Sequence, residues 1–159
     1  MTHYKANMTD IKFNLVELFQ LADTLQSPEY EDMDVKTVED ILKEVKALTE
    51  GPVAKSLLTS DRTPPRYDPH TKTVSIPEDF KESYQALVDA QWWRLEIPEE
   101  LGGIAAPPSV RWAVAEMFLG ANPAAFMYSA GFAFAGILHQ LGNEEQKQIA
   151  EHMIEKQWG

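Results

Sequence analysis

The stretch from Ala124 to Leu138 constrains this chain more than any other, because it is apolar on every side and interrupted only around Ser129. It falls short of the ~18–20 residues that cross a bilayer, and it carries Gly131 and Gly136, so no membrane span is expected. A helix that is apolar all round must be wrapped by other elements of the same protein. The surrounding sequence has to supply those elements.

It supplies helices. The first follows Thr9 or Asp10 as N-cap and presents Ile11, Leu15, Leu18, Phe19, Ala22 and Leu25 at spacings of three and four. Ser27-Pro28 ends it, since a residue before proline avoids the α region. Asp34 caps a second, with Val35, Val38, Ile41, Leu42, Val45 and Leu48 as its stripe, and Gly51-Pro52 should kink or stop it. Four of the ten prolines fall between Ser60 and Pro77, a surface loop in which Tyr67 to Val74 fits a short hairpin. A third helix starts near Pro77 and runs toward Trp92, and a fourth covers Pro108 to Leu119. Asn122-Pro123 opens the fifth, which Gly142 stops, and Glu144-Glu145 open the sixth. The fold class expected is all-α, a bundle of about six helices with hardly any strand.

Composition narrows the function classes. Among 159 residues, 25 Asp and Glu against 14 Lys and Arg give a net charge of −11, which argues against nucleic-acid or anionic-membrane surfaces. Without cysteine there are no disulfides, thiolate nucleophiles or cysteine-held metals. The first residues show no secretory signal, and a cytoplasmic location is expected. His3, His70, His139 and His152 lie in separate segments without metal-binding spacing, so no metal site is expected. Neither a phosphate-cradling glycine loop nor a Gly-x-Ser-x-Gly setting occurs, and Glu99-Glu100 read as solvated carboxylates. Neither catalytic nor cofactor-binding residues are expected.

One pattern does point to a ligand. Ala125, Ser129, Ala133 and Gly136 recur every three or four residues on the fifth helix, leaving space beside it. Either another helix approaches closely there, or the space is a slot for an extended apolar ligand with Ser129 as its hydroxyl. Residue types alone do not separate the two.

Two segments carry a family resemblance. Trp92-Trp93-Arg94-Leu95-Glu96-Ile97-Pro98-Glu99-Glu100-Leu101-Gly102-Gly103 resembles a signature of the N-terminal helical domain of acyl-CoA dehydrogenases, and Leu141-Gly142-Asn143-Glu144-Glu145-Gln146-Lys147 resembles a second. The similarity spans roughly Val35 to Gly159, with residues 1–34 as an extra N-terminal segment like that of a long-form bacterial branch. Gln91, where the family often has Gly, and Leu101, where an aromatic residue or His is common, depart from the pattern.

The resemblance implies a flavoenzyme that uses FAD and a glutamate base to dehydrogenate the α and β carbons of a fatty acyl-CoA. It implies a homo-oligomer when intact and an electron-transfer partner that the sequence does not specify. The middle β-domain and the C-terminal helical domain are expected to be absent here, and with them the catalytic glutamate and the main FAD-binding residues. In the family this domain walls the acyl tunnel, and by position the tunnel-facing residues would be Ala125, Phe126, Ser129 and Ala133. The competing reading is a stand-alone helical interaction module without redox activity.

Overall fold

A computed structural model describes residues 2–158. Among these residues there are nine α-helical segments and one two-stranded hairpin. They are α1 (Met8–Phe13), α2 (Leu21–Thr24), α3 (Val35–Leu48), α4 (Leu57–Arg62), β1 (Arg66–Asp68), β2 (Thr73–Ser75), α5 (Glu78–Asp89), α6 (Pro108–Ala121), α7 (Pro123–Tyr128), α8 (Ala130–Leu141) and α9 (Glu144–Glu155). The all-α class holds, and the six anticipated helices are present with additional breaks.

Each break has a local cause. The first helix starts at Asn7, whose side chain accepts from the Asp10 N–H, two or three residues ahead of the cap expected. It passes through a π turn at Asn14–Leu18 and breaks at Gln20, where φ is +48°. At Gly51-Pro52 the chain makes another π turn, with Gly51 at a non-helical φ of −106° and ψ of −109°, and α4 follows as a separate short helix. The long apolar helix divides at Ser129, whose Oγ donates to the Phe126 carbonyl at 2.7 Å. Local hydroxyl-to-backbone bonding of this kind competes with the helical ladder.

Most of the core lies where α3 crosses α6, sealed on one side by Ile11 and Leu15 and on the other by Phe80 and Leu87 of α5. A smaller cluster joins Val88, Trp93, Ile97, Leu101 and Phe132, binding α8 to the segment after α5. Asn122 stitches the halves together. Fully buried, it donates through Nδ2 to the Val53 carbonyl (3.2 Å) and to Ser56 Oγ (3.1 Å), while its Oδ1 caps α7 by accepting from the Ala125 N–H (3.2 Å). One residue thereby fixes the π turn after α3 against the start of α7.

The N-terminal segment is tied to the same turn. Glu50, 15% exposed, accepts from the Ala6 N–H at 3.0 Å and from Lys5 Nζ at 2.7 Å, and its backbone carbonyl accepts from the Thr2 hydroxyl. Taken together, α7 and α8 cover Pro123–Leu141, 19 residues of mean hydropathy 1.2, which by length and composition alone equals a membrane-crossing helix. That exceeds the shorter run read from the sequence. Phe132, Ala135 and Gly136 are buried along one side of it, but only 28% of an 18-residue window of the stretch is buried, and Met127, Phe134, Ile137 and Leu141 stand exposed.

Candidate functional site

The site is built from the turn that follows α5. Gln91 takes a left-handed conformation, φ +60°, which reverses the chain into a 3-10 segment at Trp92–Glu96. Trp93 is fixed from two directions. Its Nε1 donates to the Val88 carbonyl at 3.0 Å, and its ring stacks on Phe132 with centroids 4.3 Å apart and planes 10° off parallel.

The Pro98–Gly103 turn then folds back on itself. The N–H groups of Leu101 and Gly103 both donate to the Pro98 carbonyl, and that of Ile104 donates to the Arg94 carbonyl. Gly102 sits at φ +80°, a conformation glycine adopts without strain, and a Cβ at Gly103 would lie 1.9 Å from the Ile97 carbonyl oxygen. The paired glycines are therefore a requirement of this turn. Gly136 of α8 presses onto the same segment, where a Cβ would meet Pro98 Cδ at 3.3 Å and the Glu96 carbonyl oxygen at 3.4 Å.

Above this platform lies a cavity of ≈330 Å³. Leu87, Trp92 and Trp93 form one side, Val114, Ala115 and Phe118 of α6 a second, and Phe126, Ser129, Ala130 and Ala133 a third. Phe118 and Phe126 stack across a corner with centroids 6.4 Å apart. Trp112, 69% exposed, stands at the edge.

The polar groups of the cavity are few. The Ser129 hydroxyl is already committed to the Phe126 carbonyl. Glu96 is partly buried, and that burial raises its carboxyl above the ordinary value while the Arg111 charge pulls it partway back. Arg111 Nε is itself buried without a hydrogen-bond partner. The lining suits an apolar chain with one charged flank.

The four residues singled out by sequence do not all converge. Phe126, Ser129 and Ala133 line the cavity, whereas Ala125 is fully buried in the main core. Gly136, from the same stripe, is occupied by close packing on the Pro98 segment. The stripe is therefore divided, with Phe126, Ser129 and Ala133 beside an open space and Gly136 in close packing.

Sequence reasoning missed Leu87, Trp112, Glu96 and Arg111. The last two were detectable, as single charges set among apolar neighbours at Leu95-Glu96-Ile97 and Val110-Arg111-Trp112. Glu99 and Glu100 are exposed. Among the described residues no group of three or more His, Asp or Glu is arranged to hold a metal ion.

Comparison with known proteins agrees with this architecture. A family model described as the N-terminal domain of acyl-CoA dehydrogenase matches residues 57–151. The broad-specificity linear acyl-CoA dehydrogenase FadE5 of Mycobacterium tuberculosis (strain ATCC 25618 / H37Rv) is 47% identical over all 159 residues. The chain spans 26% of that relative's length.

Proposed function

Because the chain belongs to the acyl-CoA dehydrogenase family through its N-terminal domain, we propose that it is the helical domain of an FAD-dependent acyl-CoA dehydrogenase. In this reading residues 35–159 are that domain, residues 1–34 an N-terminal extension, and the cavity holds the acyl chain of a fatty acyl-CoA. The observation that carries it is the ≈330 Å³ apolar cavity with Phe126, Ser129 and Ala133 in its wall. The relative's description as acting on linear acyl-CoA supports the same substrate class.

The chain's own part is binding and exclusion. Burying methylenes against Trp92, Phe118 and Phe126 contributes about 0.8 kcal/mol for each CH₂ removed from water. Small side chains at Ala130 and Ala133 leave the room this needs. The lining does not fit a flavin dinucleotide. Its hydroxyl is committed, and among its lining residues Arg111 is the one cation available to two phosphates, set in the field of the Glu96 carboxylate. FAD would be held by residues outside the cavity. Homo-oligomeric assembly and a cytoplasmic location belong to the same proposal.

Ala133→Trp tests the assignment. The indole should fill the cavity, abolish binding of octanoyl-CoA by this chain, and shorten the acyl chains accepted by a subunit that contains it. Unchanged octanoyl-CoA affinity and unchanged chain-length preference would refute the lining role.

A second reading, a helical interaction module without redox activity, draws on the exposed apolar row Phe134, Ile137 and Leu141 on α8, the last 83% exposed. A monodisperse chain that melts cooperatively without affinity for acyl-CoA would favour the module. Aggregation relieved by acyl-CoA would favour the dehydrogenase domain.

A further inference from the structure

A second hollow, ≈510 Å³, lies on the far side of Trp112. Ile11, Leu15 and Phe19 of the N-terminal segment form one side of it, and Pro108, Ser109 and Ala113 of α6 the other. Trp112 is shared with the acyl cavity, since it lines both spaces. Helical geometry explains the sharing. Residues 111, 114, 115 and 118 face the first space and residues 109, 113 and 116 the second, with residue 112 on the border between the two arcs.

Volume gives this juxtaposition a use. The first cavity, ≈330 Å³, is smaller than the hollow beside it, ≈510 Å³, and a sixteen-carbon chain is about twice the bulk of an eight-carbon one. A longer linear chain needs more room, and the adjoining hollow is mostly apolar, with Asn14, Ser109 and Glu116 as its polar members. We infer that the two spaces are consecutive compartments for one linear acyl chain, with Trp112 as the partition that decides whether the chain's distal end passes from the first into the second. The N-terminal extension then acts as a specificity element, because it builds half of the distal compartment. This inference rests on the reading of the first cavity as the acyl site.

The test is isothermal titration of an intact subunit containing this chain with octanoyl-CoA and hexadecanoyl-CoA, both below their micellar concentrations. Ser109 lines only the distal hollow, so Ser109→Trp should weaken hexadecanoyl-CoA about tenfold, some 1.4 kcal/mol, and leave octanoyl-CoA within about twofold. Trp112→Ala should raise the preference for the longer chain. Equal weakening of both lengths by Ser109→Trp, or none, would overturn the two-compartment inference. So would an unchanged or lower ratio of hexadecanoyl-CoA to octanoyl-CoA affinity in Trp112→Ala than in the parent. Ala133→Trp separates the premises. If it abolishes octanoyl-CoA binding while Ser109→Trp discriminates nothing, the acyl cavity stands and the partition falls. If the unmodified subunit binds neither ligand, both fall.

Discussion

Asn122→Ala is the most informative single perturbation of the fold. It removes the N-cap of α7, which costs about 1 kcal/mol. It also leaves the Val53 carbonyl and the Ser56 hydroxyl without their buried donor, a loss of about 1–3 kcal/mol. The expected destabilisation is therefore about 3 kcal/mol, which lowers the melting temperature by about 6–12 °C for a chain of this length. Urea unfolding followed by far-UV circular dichroism measures it, with an unchanged m-value showing that stability alone has moved. Asn122→Asp keeps the capping oxygen but loses the Nδ2 donors. Burial should raise the new carboxyl's folded pKa above its unfolded value, so this variant's stability should fall as pH rises through that folded value. A loss below about 1 kcal/mol in Asn122→Ala, or a pH-independent Asn122→Asp, would refute the claim that this residue couples the two halves.

Three further outcomes are expected. Gln91→Gly, at φ +60°, should stabilise the chain by about 0.5–1 kcal/mol by relieving a left-handed non-glycine residue, and a lower melting temperature would contradict that. Phe132→Ala should cost about 3–5 kcal/mol and abolish the near-UV signal of the stacked Trp93, whereas retention of that signal would disprove the stack. Lys5 and the Ala6 N–H hold the Glu50 carboxyl below its ordinary value, so its contribution is full above the unfolded pKa, ~4.3, and is lost as pH falls through the lower folded one. Hydrogen-exchange protection in residues 2–13, taken relative to the intrinsic rate at each pH, should accordingly fall on acidification in the parent chain and already be low at pH 7 in Glu50→Gln. Equal protection in the two chains at pH 7 would contradict the clamp.

The helical class was readable because the decisive signals are local. Asp34 does accept from the Thr37 N–H, Asn122 does cap α7, and the prolines between Ser60 and Pro77 do mark the hairpin region. What escaped depends on longer range. The sequence offers no sign that Ser129 would turn its hydroxyl onto Phe126 and break the long helix, because an uninterrupted helix satisfies the same apolar pattern. The spacing puts Ala125 on the face of Ser129 and Ala133, but in the fold it is fully buried in the main core. Likewise Trp112 is an ordinary apolar position on α6 until the N-terminal segment packs beside it. The capping box between Asn143 and Gln146 is local and was within reach of sequence reasoning, but Glu144-Glu145 drew attention as the helix start.

The β1–β2 hairpin has an engineering consequence. Every residue from 61 to 75 is exposed, and the turn is held by its own groups, with Asp68 Oδ1 accepting from the His70 N–H at 2.8 Å. None of these residues lines either of the two hollows flanking Trp112. A fluorescent protein or an affinity tag grafted between His70 and Thr71 would thus hang from a tether that the helices do not depend on. Occupancy of the cavity could then be reported from outside without altering what is being reported.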